Sequence, residues 1–91
     1  MTITVCEDDI LQAGPGVIGN PIARALSRET GARWRVWDGR TAQELVAPYR
    51  VVQLPDTVKN IWETYSDFSQ VPPFTFDIDI TDASEELLYA A

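Results

Sequence analysis

The chain has 91 residues, 45% of them hydrophobic, with three each of Trp, Tyr and Phe, one cysteine and no histidine. That length makes one domain, residues 1–91, with a single modest core, and the apolar content excludes a disordered chain. One cysteine excludes an intramolecular disulfide, and a net charge of −7 disfavours direct nucleic-acid binding, which needs a basic surface.

In chain order, Thr2–Cys6 is β-branched and short and reads as a strand. "EDDILQA" reads as one helical turn with acids at its positive end, and "GPGVIG" as loop. Asn20 is an N-cap residue followed by Pro21, which places a helix from Pro21 to about Thr30, with Gly31 closing it. Ile22, Ala25 and Leu26 form its apolar stripe. "RWRVWD" (33–38) alternates as a strand, with Trp34 and Val36 on one face and Arg33, Arg35 and Trp37 on the other. "DGR" (38–40) is a turn signal.

Residues 41–47 fit either a strand or a short helix. Thr41 and Glu44 have capping-box spacing, while the position between two strands fits a hairpin. "YRVVQL" (49–54) is a strand bracketed by prolines. Val58, Ile61, Trp62 and Tyr65 have the cleanest helical period in the chain and place a helix from Pro55 or Asp56 to near Phe68. "FTFDIDI" (74–80) alternates strictly: Phe74, Phe76, Ile78 and Ile80 on one face, Thr75, Asp77 and Asp79 on the other. The tail after Thr81 reads as a short helix. The expected fold is α+β: a three- or four-stranded, mostly antiparallel sheet with two helices on one face.

Motif matches with enzymatic or metal meaning fail on context. Gly14-Pro15-Gly16-Val17-Ile18-Gly19 satisfies G-x-G-x-x-G, but "EDDILQA" separates it from the strand, and the helix begins after its third glycine. Asp77, Asp79 and Asp82 resemble an acidic metal cluster, but an EF-hand loop starting at Asp77 would need Gly where Asp82 stands and Glu where Leu88 stands. Without histidine there is no ordinary catalytic triad. Cys6, in an apolar strand beside acids, reads as core filler. The expectation is a protein that is not an enzyme and uses no cofactor and no metal.

Charge distribution says more than its total. Residues 1–59 carry seven acids and all seven bases; residues 60–91 carry seven acids and no base. Such asymmetry sets up a directed field. The candidate partner-binding residues are therefore Asp77, Asp79, Asp82, Glu85 and Glu86, with Glu63 and Asp67 secondary and Trp37 as an apolar anchor. Arg24, Arg28, Arg33, Arg35 and Arg40 cluster earlier, and read either as a basic patch or as internal partners for the acids. If the last strand lies beside the Arg33–Arg35 strand, Asp77 and Asp79 face those arginines across the ladder.

"DDI" (8–10), "NPIARAL" (20–26), "RVVQLP" (50–55) and "PPFTFDI" (72–78) together resemble a group of small phage and bacterial proteins. The shared motifs are structural: a helix start, a helix entry and a final strand. The resemblance implies a phage or prophage setting and carries over no catalytic or binding residue. In size and acidity the chain also looks like phage-encoded anti-CRISPR proteins, several of which imitate the charge of nucleic acid. That resemblance implies a host partner with a basic surface, such as a CRISPR–Cas surveillance complex, met in the host cytoplasm, with no membrane and no nucleic acid contacted directly. A small structural or accessory subunit assembling through Trp37 and "LLYAA" (87–91) is the alternative, and a small metal- or ligand-binding enzyme the third reading. No signal peptide and no membrane-spanning run is evident.

Overall fold

The structure, a computed structural model, describes residues 1–14, 16–47, 49–65 and 70–79. The protein is α+β. Strand β1 (Thr2–Val5) is followed by helices α1 (Glu7–Leu11), α2 (Gly16–Gly19) and α3 (Pro21–Thr30). Strands β2 (Trp34–Val36), β3 (Thr41–Glu44) and β4 (Val51–Gln53) come next, then helix α4 (Asp56–Thr64) and strand β5 (Phe74–Asp77). All pairings are antiparallel, but the strands divide between two sheets: β2-β3-β4 and β1-β5. The α+β class and the antiparallel pairing are as expected, the strands being divided between two sheets instead of one, and the turn α2 lies inside the "GPGVIG" segment expected as loop.

The segment that fits both strand and helix, residues 41–47, forms β3 over Thr41–Glu44. The turn before it decides the matter. The Asp38 carboxylate accepts from the amides of Arg40 and Thr41, and Gly39 adopts a left-handed φ of 74°. A side chain at Gly39 would also strike the Trp62 indole, since an added Cβ would lie 2.6 Å from the Trp62 Cβ. Trp62 therefore packs directly on the hairpin turn and holds α4 against it.

Helix α3 has the ends its sequence implies. The Asn20 carboxamide oxygen accepts from the Ala23 amide at 2.9 Å, and Gly31 closes the helix in the left-handed conformation. Its apolar stripe is wider than the three residues read from the period, because Ala23 is also fully buried beside Ile22, Ala25 and Leu26. The alanines let the helix axis come close to the strands. Trp34, fully buried, donates its indole N–H to the Thr30 hydroxyl at 2.7 Å, so the largest core residue leaves no unsatisfied donor.

Helix α3 also closes one edge of each sheet. On β2, the Trp34 amide donates to the Ser27 hydroxyl and the Val36 carbonyl accepts from the Asn20 side chain. On β1, the Thr4 amide donates to the Glu29 carboxylate and the Thr4 carbonyl accepts from Arg28. Exposed strand edges invite unwanted pairing, and here side chains of a single helix cover them.

Asn20 is the most heavily used of these groups. Besides capping α3, its amide nitrogen reaches the carbonyls of Val36, Val17 and Gly16 at 2.9, 3.2 and 3.3 Å. Asn20→Ala is expected to cost about 2 kcal/mol, and Asn20→Asp about as much, although Asp caps helices as well as Asn does. The aspartate would turn an acceptor toward three carbonyls. Urea denaturation of the two variants checks this; an Asn20→Asp variant as stable as wild type would show that only the cap matters.

Candidate functional site

Strand β5 brings its acidic face to the surface beside β1, not beside the arginine-bearing β2. Thr2 lies opposite Asp77, Ile3 opposite Phe76, Thr4 opposite Thr75 and Val5 opposite Phe74. The ladder extends one pair further: the Met1 ammonium donates to the Ile78 carbonyl, and the Ile78 amide to the Met1 carbonyl. Alternation then sorts the side chains. Ile3, Val5, Phe76 and Ile78 are buried, and Thr2, Thr4, Thr75 and Asp77 are exposed. The Asp77 carboxylate accepts from the Thr2 hydroxyl at 2.6 Å. It makes no ion pair among the described residues, so pairing with Arg33 and Arg35 across a ladder does not occur for Asp77.

The other candidate residues are spread over the molecule. Asp79 is exposed two residues beyond β5, and Glu63 is exposed in the last turn of α4. Trp37 is 41% exposed just after β2, on the other sheet. The Arg35 guanidinium lies 4.9 Å from the centre of its ring, a cation–π contact that holds the indole flat against a charged neighbour. Asp67, Asp82, Glu85 and Glu86 lie outside the described residues, as do the 87–91 segment and the tail helix. Among the described residues no group of His, Cys, Asp or Glu could hold a metal ion, and no helix is long and apolar enough to cross a membrane. The glycine segment closes on itself: the Gly14 amide donates to the Gly19 carbonyl at 2.8 Å.

Two acids that the sequence placed in no site are buried and paired. Asp9, with a side chain 5% exposed, faces Arg28, whose Nη2 lies 2.9 Å from Oδ2. The same carboxylate accepts from the amide and thiol of Cys6. Burial works against ionisation of Asp9, but the hydrogen bonds from Arg28 and Cys6 outweigh it and hold its pKa below the ordinary value. Cys6 is thus a half-buried residue at the start of α1 and not core filler. The sequence signal was present: Cys6-x-x-Asp9 has capping-box spacing with a thiol in place of the hydroxyl.

Glu44, 2% exposed, accepts from Arg50 through both carboxylate oxygens, from Nε at 3.1 Å and Nη2 at 2.7 Å. It also accepts the Arg50 amide, and the Glu44 amide returns a bond to the Arg50 carbonyl. The clamp fixes the β3–β4 connection, in which Tyr49 takes a left-handed φ of 60°. The bidentate bond from Arg50 lowers the Glu44 pKa despite burial. Of the arginine cluster, then, Arg28 has an internal acid and Arg35 an aromatic partner. The chain matches no family model, no curated protein and no solved structure.

Both depressed carboxylates tie stability to pH with one sign. Their contribution is complete above the ordinary values of 3.8 for Asp9 and 4.5 for Glu44, and is lost as the pH falls through the lower folded-state values. Glu44→Gln is expected to cost about 2 kcal/mol at neutral pH, because Arg50 keeps its charge and loses a charged acceptor. The same variant should show a shallower loss of stability below pH 4.5. Urea midpoints measured across the acid range check both statements.

Proposed function

We propose that the protein is a non-enzymatic, phage-type inhibitor of the anti-CRISPR kind, which engages a basic, nucleic-acid-handling surface of a host defence complex through its acidic C-terminal face. The observation that carries this reading is the pairing of β5 with β1. It gives Asp77 a neutral hydroxyl as its partner in place of an arginine, and leaves its charge facing outward. Arginine and lysine that normally hold phosphate also bind carboxylates, and exposed charges of one sign steer such an encounter. The strand supplies a rigid base for Asp77, and the seven acids after residue 60, with no base among them, account for the net negative charge of the chain. The resemblance to small phage proteins agrees with a setting in an infected bacterium.

A second reading has its own observation. Trp37 is exposed and braced by Arg35, as befits an anchor for an apolar contact in a small structural or accessory subunit. The two readings separate on salt and on mutation. Capture of a partner from a bacterial lysate by the immobilised protein should fall steeply as salt shortens the Debye length from about 10 Å at 0.1 M to about 3 Å at 1 M. The Asp77→Lys/Asp79→Lys variant should capture nothing while retaining the wild-type circular dichroism spectrum. Undiminished capture by that variant, with loss in Trp37→Ala, would replace the first reading by the second.

A further inference from the structure

A cleft of about 280 Å³ opens between α1, α3 and the start of β2, lined by Asp8, Asp9, Arg24, Ser27, Arg28 and Arg33. Arg24, Ser27 and Arg28 stand at i, i+3 and i+4 on α3 and so share one face of that helix. Three arginines against two aspartates leave one positive charge over. The internal pairing accounts for only part of the set. Arg28 is paired with Asp9. The Arg24 and Arg33 guanidinium groups make no ion pair among the described residues, and the Arg24 Nε is buried with no hydrogen-bond partner. A buried, charged donor with nothing to accept from it is rare in folded proteins and asks for an acceptor. Ser27 adds a second donor: its oxygen already accepts from the Trp34 amide, and its own O–H remains to be given.

We propose that this cleft binds a small oxyanion, a phosphate or carboxylate group, held by the Arg24 guanidinium, the Ser27 hydroxyl and the Arg33 guanidinium. Two of the donors come from α3 and one from the residue leading into β2. Asp9 sets the selectivity by pinning Arg28 to one side. Asp8 supplies a negative wall that disfavours ligands of high charge. The site is separate from the acidic strand face and does not depend on the reading of that face.

Inorganic phosphate and acetate are the probes, with sodium chloride at matched ionic strength as the control. The thermal midpoint of the wild-type protein should rise with one or both anions, with the logarithm of concentration once above the dissociation constant, and the Arg24 and Arg33 Nε–H resonances should shift along a saturating curve. Arg33→Gln, at an exposed position, should weaken the half-saturation concentration about tenfold, which corresponds to about 1.4 kcal/mol. Arg24→Met should abolish the response and, without anion, should be at least as stable as wild type, since it removes the unpartnered donor. A chloride response equal to that of both anions would overturn the proposal. So would wild-type saturation in Arg33→Gln, which remains readable even if the Arg24 variant fails to fold. Preference for phosphate over acetate, or the reverse, identifies which oxyanion the cleft takes.

Discussion

Helix α3 lies between two small sheets and satisfies the open edge of each with its own side chains. Ser27 and Asn20 bond the outer groups of β2, and Arg28 and Glu29 those of β1. Neither sheet is large enough to stand alone: one has two strands and the other three, each only three or four residues long. A helix with alanines at Ala23 and Ala25 can approach both closely, and Ile22 and Leu26 then fill the space between them. Every other placement depends on this one. The β1–β5 pair is held where α3 sets β1, and the β2–β4 sheet where it sets β2.

The charges of the protein divide into two populations with different physics. Asp9 and Glu44 are buried, hydrogen-bonded by arginine and held ionised; they tie α1 to α3 and β3 to β4. Asp77 is exposed on a strand and hydrogen-bonded by a threonine. The first population makes the fold depend on pH at its acid end. The second costs the fold little, because exposed charges interact weakly through water. Glu44–Arg50 and Asp9–Arg28 close the two buried carboxylates internally.

Much of the local structure was legible. Asn20-Pro21 and Gly31 bound α3 by capping chemistry that acts within a few residues, and the alternation in 33–38 and 74–80 sorted buried from exposed side chains correctly at Trp34, Val36, Phe76 and Ile78. Residues 41–47 were not legible, because Thr41 and Glu44 fit both a capping box and a strand; the Asp38–Gly39 turn and the Glu44–Arg50 clamp settle them as a hairpin. Of the acidic site, Asp77 was readable as exposed from its alternation. Its neighbour was not, and neither was the loss of Asp9 and Glu44 to the interior, since a lone acid in a sequence looks the same whether it is solvated or paired.

The sequence by itself determined the α+β class, the extent of α3, the faces that β2 and β5 bury and the concentration of acid after residue 60. These follow from propensity, period and composition, which are local. Only the tertiary structure decided that β5 lies against β1 and not against β2. An alternating strand offers the same apolar face and the same hydrogen-bonding edge to any neighbour, so its partner is chosen by long-range packing. The pairing joins Thr2 to Asp77 across nearly the whole described chain. It gives the aspartate a threonine as its partner in place of Arg33 or Arg35.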